Sequence, residues 1–287
     1  MRAKKSLAIS AMALTAVLAM AGCAPAEETP AAPTVEKVEF EAGTTMAKLA
    51  DAGKITIGTK FDQPLFGQVD LDNNPQGFDV EIGKLIAAKL GIPEDGITWR
   101  ETVSANREPY IQSGEVDLVV ATYTINDARK EVISFAGPYY VAGQDLLVAA
   151  GNPENIEGPE DLSGKAVCTV SGSTSEKNIA EYTTDIIAAA GYADCLEPLR
   201  TGNVVAVTTD NVILAGLAEQ NPEFEVLGNP FTEEPYGIGL AKDDTVFRNF
   251  INDTLDAAYK DGDWAAAWEA TAGAVLETPE PPAVDRY

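Results

Sequence analysis

Basic side chains are scarce in this chain, 20 Lys and Arg against 45 Asp and Glu, and three of them sit where apolar runs give way to polar loops. Lys60 follows the run 55–59, Arg107 lies in Ser104-Ala105-Asn106-Arg107, and Arg129 ends Thr122-Tyr123-Thr124-Ile125-Asn126-Asp127-Ala128-Arg129. The hydroxyls of Ser104, Thr122 and Thr124 are close by in sequence. A guanidinium flanked by hydroxyl donors makes a planar, bidentate receptor for a carboxylate. A second loop, Ser171-Gly172-Ser173-Thr174, joins an apolar run to a helical pattern. Gly172 allows close backbone approach there, and free N–H groups at a helix start suit an anion. Thr208-Thr209-Asp210-Asn211 offers the opposite charge, with Asp210 placed either to meet a cationic group or to cap the helix that follows. Taken singly, each of these charges also reads as a solvated surface group paired with one of the many carboxylates.

The chain has no His, which removes Ser-His-Asp and Cys-His triads, His-ligated zinc and an imidazole pH switch. A formal net charge of −25 repels a phosphate backbone, so no nucleic-acid partner is expected. No metal or cofactor is expected either. Carboxylate chemistry survives, and Glu101 or Asp62 could serve as a general acid or base. Nothing in the sequence marks either above other surface acids, and the reading is a binding protein, not an enzyme.

Arg2, Lys4 and Lys5 precede an apolar run over 7–20, too short for a stable membrane anchor. Residues 1–22 read as a signal peptide. The segment Leu18-Ala19-Met20-Ala21-Gly22-Cys23 resembles the lipobox of bacterial lipoproteins, which implies a lipid on Cys23 and anchoring to the outer face of the cell membrane. The alternative is an ordinary secretory leader that happens to carry a Cys. Losing the three leader cations makes the protein still more acidic, so the cations left are expected to gather in a ligand cleft. With Cys23 lipidated, Cys168 and Cys195 remain as an even pair in an oxidising compartment. A disulfide between them would contribute about 3 kcal/mol; two buried free thiols are the alternative.

These groups must be positioned by the elements around them. Residues 23–45, rich in Ala, Pro, Glu and Thr, read as a disordered tether after the lipid site, and 276–287, with Pro279, Pro281 and Pro282, as a flexible tail. Between them a strand is expected over 55–59, then a helix capped by Asp79 with Ile82, Leu85, Ile86 and Leu90 on one face. Further strands are expected over 97–99, 116–121 and 146–149, with a short helix over 109–113. After Gly151 the pattern restarts: strand 165–170, helix 175–190, strand 204–208, helix 212–219, strands 224–227 and 237–241, helices 246–260 and 264–270. Two α/β units follow from this alternation.

Gly77-Phe78-Asp79-Val80-Glu81, the run from Gly114-Glu115-Val116-Asp117 through Arg129 to Ile133-Ser134-Phe135-Ala136-Gly137-Pro138-Tyr139-Tyr140, and Gly172-Ser173-Thr174 together carry a resemblance. Over 54–270 the chain resembles the extracytoplasmic amino-acid-binding proteins of ABC importers, with the type II periplasmic-binding-protein fold. Through Ser104 to Arg107 it is most similar to glutamate-binding lipoproteins. The resemblance implies two lobes, 46–143 plus 238–275 and 144–237, each a mainly parallel sheet flanked by helices, joined by two crossing hinge strands and closing over the ligand. It implies that Arg129, Thr124, Thr174 and the backbone at Thr122 hold an α-carboxylate and that Asp210 accepts from the α-ammonium. Lys60, Arg107 and Ser104 would meet the side-chain carboxylate of glutamate or aspartate. Two unpaired cations in a cleft are costly unless the ligand neutralises them, which favours an acidic side chain. A monomer that delivers glutamate to ABC permease subunits is the expectation. The alternatives are glutamine, asparagine or another amino acid as ligand, a sensor role with the same site, or a periplasmic dehydratase-like enzyme on the same fold.

Overall fold

β-branched residues in Ile55–Thr59 (β1) suit an extended, buried strand, and β1 starts the first sheet. It pairs in parallel with Ile97–Glu101 (β2) on one side and Leu118–Val119 (β3) on the other. Ser134–Ala142 (β4) forms the far edge of that sheet and continues through Gly143 into Gln144–Ala149 (β5), which belongs to a second sheet. Val167–Val170 (β6), Ile186–Ala189 (β7), Ala206–Asp210 (β8) and Phe224–Val226 (β9) complete the second sheet in the order β7-β6-β8-β5-β9. The chain then returns through Glu234–Leu240 (β10), antiparallel between β3 and β4, so the first sheet runs β2-β1-β3-β10-β4. In each of these two sheets four strands run one way and a single crossover strand, β10 in the first and β5 in the second, runs against them. The computed structural model that gives this architecture describes residues Val38–Tyr287; the leader, Cys23 and the tether up to residue 37 lie outside the described residues.

Parallel strands need crossover helices on their faces. Phe78–Lys89 and Thr245–Asp261 cover the first sheet, with Asp263–Glu269 packed on both, and Thr174–Ile179 and Asn211–Gln220 cover the second. The two crossovers lie side by side: the Gln144 amide donates to Thr232 Oγ1 at 2.9 Å and the Phe231 amide to the Gln144 carbonyl at 2.9 Å. A Cβ on Gly143 would sit 2.7 Å from the Thr232 carbonyl, so the crossovers can lie this close only with glycine there. An aromatic cluster fills the first lobe beside them, with Phe78 edge-on to Trp264 and Trp268, and Tyr140 stacked on Trp268 at 5.0 Å.

Several local expectations are corrected. Asp79 does not cap the helix; the cap position is Gly77, at φ 124°, where any side chain would meet the Phe66 carbonyl at 2.4 Å. The helix expected over 175–190 is a short helix followed by strand β7, whose Ile186 and Ile187 pair with Val167 and Cys168 of β6. No strand was expected over β4, which accommodates Pro138 because an edge strand leaves one side unpaired. The tether ends earlier than residue 45: Phe40 packs edge-on against Phe250 at 5.4 Å, and Thr44 caps a helix over Thr45–Ala52. The final residues have no helix or strand, yet they are anchored rather than loose. The Phe135 amide donates to Tyr287 Oη and the Asp285 amide to the Gly137 carbonyl, both at 2.8 Å, while Arg286 pairs with Asp253 and Asp256. Cys168 and Cys195 are joined in a disulfide, both fully buried, with their Cα atoms 5.5 Å apart.

Candidate functional site

Loops at the carboxyl ends of β1, β3, β6 and β8 meet between the lobes, where open α/β sheets place their ligands. They converge on a narrow polar cavity, lined from the first lobe by Gln63, Ser104, Arg107 and Thr122. Ser173, Thr174, Ser175, Tyr192, Asp210 and Ile213 line it from the second. The lobes also touch around it: the Tyr192 amide donates to Asp62 Oδ2 at 2.7 Å, and away from the cavity Gln220 Nε2 donates to Gln68 Oε1 at 3.1 Å.

Arg107 opens the helix Arg107–Ser113 and is 3 % exposed. Its Nε donates to the Ser104 carbonyl at 3.3 Å and its Nη1 to the carbonyls of Ala121 and Thr122 at 3.1 and 3.3 Å. Nη2, with two further N–H groups, engages no described residue. The guanidinium lies 4.2 Å from the centre of the Tyr123 ring, and that of Arg129 lies 4.9 Å from the same ring. Lys60 does not line the cavity but stands behind Ser104, donating to its Oγ at 2.9 Å. Burial, then the Arg107 charge, pull the Lys60 ammonium down to about 7.

Arg129 also lies outside the lining residues. Its Nε meets Glu108 at 3.0 Å, its Nη1 donates to the Thr124 carbonyl at 2.8 Å, and its Nη2 crosses to the Gly172 carbonyl of the second lobe at 3.3 Å. Burial, then the Arg107 charge, lower its pKa to about 10. Three of its five N–H groups are thus placed, two are not. Thr124 Oγ1 and Thr174 Oγ1 approach to 3.4 Å from opposite lobes, and both donate to Glu234.

Asp210 ends β8 and occupies the cap position of Asn211–Gln220, but its carboxylate makes no capping bond. Oδ2 accepts from the Tyr236 hydroxyl at 2.6 Å, while Oδ1 is buried without a partner. Burial, then the nearby Glu234 charge, push Asp210 up to about 7 against the pull of that hydroxyl and of Arg107. A buried carboxylate oxygen without a donor is costly.

The sequence brought Ser104, Arg107, Thr122, Thr174 and Asp210 to the cavity wall and Lys60, Arg129 and Thr124 just behind it. It missed Gln63 and Tyr192 in the lining, and three supporting acids. Asp79 accepts the Tyr139 hydroxyl at 2.6 Å and the Thr122 amide at 2.8 Å, so it holds Thr122 at φ 44°, a strained angle for a β-branched residue. Burial raises Asp79 to about 7 against those bonds and the Lys60 charge. Glu108 braces Arg129, and Glu234 collects the threonines. Asp79 stands in the Gly-Phe-Asp motif, where its signal read as a cap; Glu234 gives no signal before the hinge is folded. Neither Asp62 nor Glu101, the acids open to a catalytic reading, lines the cavity.

Known proteins share this sequence and architecture. The family described as bacterial extracellular solute-binding proteins, family 3, matches residues 55–270. The glutamate-binding protein GluB of Corynebacterium efficiens is 40 % identical over 244 residues, covering 78 % of this chain and 80 % of its own. The ABC transporter glutamine-binding protein GlnH of Bacillus subtilis is 35 % identical over 263 residues, covering 90 % and 94 %. A crystal structure of a solute receptor for L-cysteine from Neisseria gonorrhoeae superposes with a TM-score of 0.77 at 31 % identity, covering 84 % of this chain and 99 % of that one. With the match spanning both sheets and every loop of the cleft, the chain belongs to family 3 of the bacterial extracellular solute-binding proteins and has the type II periplasmic-binding-protein fold.

Proposed function

We propose that this protein captures an amino acid by closure of its two lobes and delivers it to an ABC permease, and that the amino acid is glutamate. One observation carries the reading: Arg107 on the first lobe and Asp210 on the second, whose buried Oδ1 has no partner among the described residues, line the same small cleft. Opposite charges on opposite lobes fit a zwitterion that touches both, and contacts made only when the lobes are together select the closed form. Arg129, Thr124, Thr174 and the Thr122 backbone take the α-carboxylate in this reading, and Asp210 the α-ammonium. Arg107, Ser104 and, through Ser104, Lys60 take the side-chain carboxylate. A neutral amide could not neutralise two buried cations, whereas a second carboxylate can. The relatives named for glutamate and for glutamine bracket the choice, and the cation pair favours glutamate, with aspartate as a shorter competitor. The protein acts as a monomeric binding protein without catalysis, held outside the cell by a lipid on Cys23 after its leader is removed.

Calorimetry on the soluble domain tests the reading. Glutamate is expected to bind at micromolar concentration or below, and Arg107→Ala to weaken glutamate at least 100-fold but glutamine far less. Tighter binding of glutamine than of glutamate, or no binding of glutamate and aspartate at all, refutes it.

A further inference from the structure

The hinge side of the cleft holds an acid to which the roles above give no task. Glu234 begins β10 directly after the second crossover and is 3 % exposed. Each of its carboxylate oxygens takes two donors. Oε1 accepts from Asn178 Nδ2 at 3.1 Å and Thr232 Oγ1 at 2.9 Å. Oε2 accepts from Thr124 Oγ1 at 2.7 Å and Thr174 Oγ1 at 2.8 Å. Thr124 belongs to the first lobe and Thr174 to the second, so a single oxygen draws one hydroxyl from each side.

A hydroxyl has one proton to donate and two lone pairs. Surrounded by four donors, Glu234 acts as an acceptor only, and both threonines therefore direct their protons at it. What they offer to anything else is lone pairs, which a ligand carboxylate cannot use. We propose that Glu234 sets ligand affinity by competing with the ligand's α-carboxylate for the hydroxyl protons of Thr124 and Thr174. This rests on the reading that those two threonines bind the α-carboxylate. Glu234 is then a positioning residue: it acts on the ligand through the direction in which two hydroxyls donate. Glutamine at this position would keep its Oε1 on Asn178 and Thr232 and turn its Nε2 to the threonines. They would accept from that amide and release both protons to the ligand.

Calorimetry with L-glutamate and with L-glutamine, on the wild-type chain and Glu234→Gln, each with Thr124 intact or as Thr124→Val, separates the outcomes in a double-mutant cycle. With Thr124 intact, Glu234→Gln is expected to tighten both ligands tenfold or more, because the α-carboxylate is common to them. In the Thr124→Val background only the Thr174 proton is left to release, so the same substitution is expected to tighten both ligands clearly less, by about threefold. Near-ultraviolet circular dichroism establishes the fold of each variant, and Glu234→Ala, which frees both hydroxyls without adding an amide, must also tighten binding. Weaker binding by Glu234→Gln means that Glu234 only braces the threonines and overturns the competition. Equal tightening in both backgrounds means charge repulsion alone, and overturns it too. Failure of the wild-type chain to bind either amino acid overturns the reading of the site itself.

Discussion

Replacing Lys60 by Met separates what the site costs the fold from what it gives the ligand. Lys60 is 3 % exposed and its ammonium is lowered from 10.5 to about 7, by burial first and by Arg107 second. The folded pKa lies below the unfolded one, so between pH 7 and 10.5 the unfolded chain binds more protons and wild-type stability rises with pH. Below pH 7 the full penalty applies: a shift of this size corresponds to roughly 5 kcal/mol. Met keeps the apolar stem and removes the charge, at the cost of the bond to Ser104, about 1 kcal/mol. In the absence of amino acid, Lys60→Met should therefore be more stable than wild type by about 4 kcal/mol at pH 6. Because folded wild-type Lys60, with its ammonium lowered to about 7, has lost its charge by pH 9, that advantage should shrink by about 3 kcal/mol there. Urea unfolding of both proteins at the two pH values, with the disulfide intact, measures the difference directly. The same substitution should weaken glutamate at least tenfold and glutamine little. A stability difference that does not change between pH 6 and pH 9, or a less stable Lys60→Met at pH 6, would refute the assignment of a buried, destabilising ammonium beside the cleft.

Two further outcomes follow from the same geometry. Asp210→Asn should weaken amino-acid binding by about 2–5 kcal/mol, seen in calorimetry as a loss of at least 30-fold, since it removes the anion that faces the ligand's ammonium; its melting temperature should not fall, because Oδ1 has no partner to lose. Converting Cys168 and Cys195 together to Ser should lower the free energy of unfolding by about 3 kcal/mol through the loop they close, with sequence separation 27, while leaving Kd within threefold because neither cysteine lines the cavity; a melting temperature unchanged by the double substitution would count against that account.

Local sequence carried the parts of this protein that local physics decides. β1 is the β-branched run Ile55–Thr59, and the helix over Phe78–Lys89 follows its apolar spacing, starting two residues earlier than a cap at Asp79 would place it. The cleft loops are visible as polar breaks after such runs, which makes Arg107 and Asp210 candidates by position, while the role of Thr174 comes from the family resemblance. What stayed hidden depends on neighbours far along the chain. Ile186–Ala189 is a strand only because Val167–Val170 lies beside it, and the Ala-rich residues around it suit a helix as well. Pro138 argues against a strand until the sheet order puts β4 on an edge.

The supporting acids show the same limit in a sharper form. Asp79, Glu108 and Glu234 are three among 45 carboxylates; Asp79 stands out locally only as a helix cap, and nothing in the local sequence of the other two distinguishes them from the solvated majority. Folding makes the distinction by removing water. Once Asp79 is buried, two donors must be found for it, and the Thr122 amide is supplied by bending that residue to a positive φ. Once Glu234 is buried at the hinge, its four donors come from the second crossover, from the helix over Thr174–Ile179 and from the loop after β3. The cations at the cleft were legible because they are rare in an acidic chain. The acids that aim and restrain the site were not, because their meaning lies in burial, and burial is a property of the two lobes together.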